Sequence, residues 1–133
     1  MVSLPQRHRL RGKRPFDRLY RQGRRLHGEL MVLRLLQAQA ELLPPSDRNR
    51  IPSPWRCAVV VSGKVSKRSV RRNRLRRLLH AHLLRQAPKG THPFWLLLSL
   101  KPEAAATAEP RLLEECTHLL RKAGLLHEPG SPP

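Results

Sequence analysis

Acidic and aromatic side chains are the scarce classes in this 133-residue chain, which has 9 Asp and Glu and only 4% Phe, Trp and Tyr. The shortage of acids speaks against a metal-dependent nuclease, which needs several carboxylates converging on its ions. Asp17 and Asp47 are the only aspartates, and the adjacent Glu114 and Glu115 would point about 100° apart on a helix. Acid–base cleavage by a histidine pair is equally poorly served. His80 and His82 stand at i, i+2 and face apart on a helix, and His8, His27, His92, His118 and His127 show no ligand or triad spacing. A phosphate-cradling glycine loop is missing too. No catalytic residue and no metal ligand is therefore expected. Cysteine is limited to Cys57 and Cys116, far apart in a chain with no expected secretory signal, and both read as small buried hydrophobes. No apolar run, Phe94 to Leu98 included, is long enough to span a bilayer, so a cytoplasmic protein is expected.

What the chain has in excess is positive charge: 27 Lys and Arg give a formal +18. Such a balance repels itself in the folded state unless a polyanion neutralises it, which makes nucleic acid the leading partner. An anionic membrane ranks second, because the cations are spread along the chain and not gathered on one amphipathic helix. Arginine carries most of the excess, with Lys only at 13, 64, 67, 89, 101 and 122. Guanidinium groups bind phosphate in forks and stack on bases, which favours RNA or DNA; a GC-rich genome would give the same bias.

Hydrophobic content of 39% at this length supports one domain with a thin core. We expect a single domain over residues 1–126 and a tail, 127–133, disordered by composition. Residues 1–14 read as a basic, poorly patterned extended arm. Pro15 opens a short helix with Phe16, Leu19 and Tyr20 on one face, closed by Gly23. Residues 29–39 fit a helix or a buried strand, and propensity leans to helix. A proline-rich loop at 44–54 reads as an insertion. Residues 55–62 and 94–100 read as strands, with a basic helix between them at about 67–85. A last helix spans about 109–123, with Pro110 near its start and Gly124 just past its end.

The basic helix is the most informative element. Positions 64 to 77 hold eight Lys or Arg and no acid. A strand feeding a helix with a cationic first turn suits phosphate, since the helix dipole adds to the side-chain charges. Leu75, Leu78, Leu79, His82 and Leu83 share an arc of about 140° and should face the core. Arg74 and Arg77 lie across from it, Asn73 and His80 sit beside Arg77, and Arg72 and Arg76 share a flank. With no acid nearby in sequence, the negative charge is expected from outside the protein. Asn73, a mediocre helix former, reads as an RNA reader or a local strut.

In this setting the sequence resembles the protein subunit of bacterial ribonuclease P. That family's pattern is a strand ending in Val-Ser-Lys-Lys, a basic spacer, then Ala-Val-x-Arg-Asn-Arg-x-Lys-Arg entering a long helix. Here stand Val61-Ser62-Gly63-Lys64, the spacer at 65–69, and Arg72-Asn73-Arg74-Leu75-Arg76-Arg77. Upstream, Arg9-Leu10 precedes Phe16-Asp17-Arg18-Leu19-Tyr20 and Gly23; downstream, the 94–100 strand stops at Lys101-Pro102. The likeness spans about residues 7–124. Gly63 replaces a typical lysine, which weakens one phosphate contact and loosens the turn, and Ser69 replaces a typical alanine, which could shift the helix cap.

The resemblance implies an α+β fold, an α/β sandwich in the order α-β-β-β-α-β-α with helices on a small central sheet. It implies a left-handed strand–helix–strand crossover, an exception to the usual hand. It makes residues 31–36 a strand, paired with a short one near 24–27. By position, Lys64, Arg68, Arg72, Asn73, Arg74, Arg76 and Arg77 would contact the catalytic RNA. Phe16 and Tyr20 would line a cleft between the first helix and the sheet for the single-stranded 5′ leader of precursor tRNA. Stacking on rings would tolerate variable leader sequence. Mg²⁺ would be required by the holoenzyme and held mainly by RNA, with no obligate protein partner and no membrane. The alternative is a structural, ribosome-associated RNA-binding protein; a stand-alone basic nuclease is disfavoured by the missing acids.

Overall fold

The computed structural model describes residues 4–48 and 53–126. The expected tail and part of the proline-rich loop lie outside the described residues. The main elements are α1 (Lys13–Gln22), β1 (Arg24–His27), β2 (Met31–Gln37), a short α2 (Pro45–Arg48), β3 (Trp55–Val60), α3 (Ser69–Gln86), β4 (Phe94–Leu100) and α4 (Glu109–Lys122). Apart from α2, this is the expected α-β-β-β-α-β-α order. The strands form one sheet in the order β1-β2-β4-β3. The first two pairs are antiparallel, and β3 lies parallel to β4, so α3 is the crossover between them.

The 29–39 stretch is a strand from Met31, against its helical propensity. β2 is flanked on both edges, by β1 and β4, and Met31 and Leu33 are buried on one face. Pairing on two edges outweighs an intrinsic preference of a few tenths of a kcal/mol per residue.

Alternation splits the sheet into two apolar faces. Leu26, Leu33, Leu98 and Val59 form one row across all four strands. They pack under Leu75, Leu79 and Leu83 of α3 and Leu112, Cys116, Leu119 and Leu120 of α4. Burying each such leucine contributes roughly 1.5–3 kcal/mol. The opposite face presents Ala58, Trp95 and Leu97, covered by Leu19 of α1 together with Leu10, Leu42 and Leu43. Cys57 and Cys116 are free and buried, and burial pushes both thiols up to about 12.

The N-terminal arm is not extended over its described part. Leu4, His8 and Leu10 are buried, residues 6–8 make a turn of 3₁₀ helix, and Arg9 forms a parallel bridge to Cys57. The Arg56 guanidinium fixes this path by donating to the carbonyls of Arg9 at 2.9 Å and Gln6 at 3.3 Å. At the other end of the chain, Gly124 (φ +81°) follows α4 as anticipated. Its N–H donates to the Arg121 carbonyl and that of Leu125 to the Leu120 carbonyl, each at 2.9 Å, which turns Leu125 back into the core.

Candidate nucleic-acid interface

The loop from β3 into α3 is pinned by buried Val61 and Val65 and leaves Lys64, Lys67 and Arg68 exposed. Ser66 Oγ accepts the Arg68 N–H at 3.2 Å, and α3 starts at Ser69. The cap position is Arg68, with no side-chain cap and no acid in the first turn, so Ser69 is not the cap. Free N–H groups and uncompensated cations therefore share one exposed end. A Cβ at Gly63 would meet nothing within 4 Å, so that glycine meets no steric demand.

The basic residues of α3 then part in three directions. Arg72 folds back, its Nη1 donating to the Ser66 carbonyl at 2.9 Å, and so braces the loop. Arg74 turns toward α4 and forks onto Glu109 with two bonds of 2.9 Å, and Arg71 approaches the same carboxylate at 3.5 Å. That carboxylate is held below its usual range chiefly by the Arg74 hydrogen bond. The expectation that no acid offsets this helix is thus corrected: Glu109, 35 residues away from Arg74, supplies one. On the third side, Asn73, Arg76, Arg77 and His80 share a face, and Asn73 Oδ1 accepts from Arg76, the local strut foreseen as one option.

This third side is one wall of an open groove of about 400 Å³. Its floor is the outer edge of β3 at 57–59, and its other wall is the anchored segment Arg9–Arg11. Among the described residues, four arginines and no carboxylate line it. His80 sits half-buried among them, and burial, with the charges of Arg9 and Arg76, lowers its pKa to about 4. A groove with cationic walls and an unprotonated imidazole accepts anions and repels cations.

Phe16 and Tyr20, paired by sequence, have different surroundings. Phe16 packs half-buried against the second apolar cluster, while Tyr20 is 43% exposed. The Arg34 guanidinium lies over the Tyr20 ring at 4.6 Å, and its Nη1 donates to Ser99 Oγ at 3.3 Å. Beside them runs a row in register across the sheet, of which Val32, Ser99 and Val60 are half-buried. This strip of the second face lies next to the ring and its guanidinium.

Two further acids, Glu115 and Asp47, serve as internal partners. Glu115, buried on α4, accepts the N–H groups of Glu29 and Leu30 at 2.9 Å and closes the β1–β2 turn. A Cβ at Gly28 would meet that carboxylate at 2.7 Å and push it off these bonds. Asp47 is buried and receives Arg11 at 3.3 Å. Sequence reading missed Arg9, Arg11, Arg34 and Glu109 as parts of these surfaces. Only the bond from Leu10 N–H to the Cys57 carbonyl and its neighbours reveals where Arg9 goes, and spacing carries no such information.

A family model described as Ribonuclease P matches residues 4–124. The ribonuclease P protein component of Parasynechococcus marenigrum (strain WH8102) is 52% identical over 126 residues, covering 93% of this chain and 98% of that protein. That of Prochlorococcus marinus (strain NATL2A) is 40% identical over 126 residues at the same coverage, 93% and 98%. Among solved structures, the RNase P protein of Staphylococcus aureus superposes with a TM-score of 0.71 at 16% identity, covering 90% of this chain and 98% of that one. The RNase P protein of Thermotoga maritima gives 0.65 at 22% identity, covering 86% and 96%. The structural likeness establishes the fold, and the sequence matches establish descent: the chain belongs to the ribonuclease P protein family.

Proposed function

We propose that this chain acts as the protein subunit of a ribonucleoprotein endonuclease that removes the 5′ leader from precursor tRNA, with RNA carrying out the hydrolysis. The observation that supports this most is the two-walled arginine groove without a carboxylate. It binds the backbone of the RNA subunit through Arg76 and Arg77, extended by Lys64 and Arg68 at the open start of α3. Arginines that neutralise phosphates release counterions and let two RNA strands approach one another. Arg72 and Arg74 act mainly by bracing the loop and α4.

Among the described residues no three His, Cys, Asp or Glu side chains come together to hold an ion, and Glu109, Glu115 and Asp47 are engaged by guanidinium or backbone N–H groups on separate elements. We therefore assign Mg²⁺ to the RNA. The single-stranded leader runs along the strip beside Tyr20, where a base stacks on the ring or on the Arg34 guanidinium, and Phe16 supports α1 from beneath. The chain needs no protein partner in this role and acts in the cytoplasm. Among the described residues no helix is long and apolar enough to cross a membrane.

The test is precursor-tRNA cleavage at low Mg²⁺ by a bacterial ribonuclease P RNA, with and without the chain. Correct 5′ cleavage that rises only with both present supports the proposal. RNA binding without stimulation would transfer the weight to a structural RNA-binding role. Tyr20→Ala should weaken binding of precursor tRNA and leave mature tRNA binding unaltered; equal losses for both would remove the leader from this strip.

A further inference from the structure

RNA held by α3 and the loop before it leaves the opposite wall of the groove without a contact of its own. That wall is held at several points. The His8 ring stacks on Trp55 at 3.9 Å, and its Nδ1 lies 2.9 Å from the Trp55 carbonyl. Leu10 N–H donates to the Cys57 carbonyl at 2.9 Å, and Arg56 holds the Arg9 carbonyl at the same distance, 2.9 Å. Arg9 itself is exposed, with Nε on the Leu4 carbonyl at 2.9 Å. A cation whose backbone is already fixed loses little freedom when a ligand arrives.

The charges around this wall are not equally available. Arg74 is matched by Glu109 and Arg11 by Asp47. Arg9 has no acid partner among the described residues, and its charge and that of Arg76 both bear on His80. Two cations from separate elements thus converge on one half-buried imidazole. They repel each other across it until an anion arrives.

We propose that Arg9, Arg76 and His80 form a seat for one phosphate of the RNA subunit, clamped between the N-terminal segment and α3, and that His80 takes up a proton as the phosphate enters. The seat rests on the reading of the groove as the RNA surface. Hydronium from solvent gives its proton to the lone pair of the imidazole nitrogen and leaves as water, and the phosphodiester keeps its bonds and its charge. Arg11 from the N-terminal segment and Arg77 from α3 also line the groove as guanidinium cations. Cys57 of β3, its thiol pushed up to about 12, stays neutral and does not compete for the proton.

The experiment is equilibrium binding of the full chain to a bacterial ribonuclease P RNA over a salt series, at about pH 7.5 and about pH 6. Arg9→Gln should weaken binding about tenfold and lower the salt slope by about one, as Arg76→Gln does, while Arg85→Gln at the far end of α3 changes it less than about twofold. The unaltered chain should bind more tightly at the lower pH, and His80→Gln should lose that difference. Arg9→Gln that behaves like Arg85→Gln while Arg76→Gln is weakened overturns the seat and leaves α3 as the RNA surface. Arg76→Gln that also behaves like Arg85→Gln overturns both. A pH difference that persists in His80→Gln overturns the proton uptake.

Discussion

Arg74 and Arg76 are two residues apart on one helix, yet they meet different surroundings. The first forks onto Glu109 and the second borders a groove without acids. An RNA phosphate must compete with Glu109 for Arg74 and has no such rival at Arg76. Arg76→Gln should therefore cost more RNA affinity than Arg74→Gln, and Glu109→Gln should tighten RNA binding and steepen its salt dependence by freeing Arg71 and Arg74. Binding isotherms over a salt series check both, and equal losses in the two arginine variants would show that Glu109 gives way without cost. The sequence displayed the cations and the helix that carries them. It gave no sign that an acid at position 109 would reach them, because that contact depends on how α4 crosses α3. Tyr20 and Phe16 teach the same lesson: one helical face predicted both aromatics, and only packing separates the exposed ring from the half-buried one.

At the scale of elements, the loop that leads into α3 and the far end of that helix each carry a residue that invites replacement. Gly63 lies in open space without a positive φ, so Gly63→Lys should fold unchanged, bind RNA more tightly and raise the salt slope by about one. At the other end Ala87 caps the helix in the left-handed region at φ 46°, its N–H on the Leu83 carbonyl at 3.0 Å. A Cβ is disfavoured there, so Ala87→Gly should stabilise the fold by about 0.5–1 kcal/mol, read from denaturant midpoints. An unchanged or lower midpoint would show that the looser unfolded chain outweighs the relieved strain. Helix ends with local chemistry were legible: Pro110 and Gly124 bracket α4, and the apolar stripe of α3 faces the core. β2 was not legible from propensity, because its conformation is set by the strands on either side of it. The family pattern supplied what propensity missed.

At the scale of the whole molecule, three histidines tie distant parts together while uncharged. His8 stacks under the N-terminal segment, His80 lies at the groove, and His82 Nε2 sits 2.7 Å from Thr117 Oγ1 between α3 and α4. Burial lowers all three from their usual 6.5, with neighbouring arginines adding to the effect, and His80 falls to about 4. None of this was legible in the sequence, where no spacing of the seven histidines announces these contacts; the anchored N-terminal segment, too, depends on Trp55 and Arg56, nearly fifty residues away. A histidine with a depressed folded pKa binds its proton later in the native state than in the unfolded chain. Between about pH 6.5 and pH 4 the unfolded chain therefore holds more protons, and stability falls as pH drops through that window. The free protein should lose thermal stability already between pH 6.5 and pH 5, and His80→Gln should lessen the loss. A melting temperature that stays flat down to pH 5 would show that the three imidazoles ionise in place. Because the polyanion favours the protonated ring in the groove, the same acidification that loosens the free chain should be resisted once the RNA is bound.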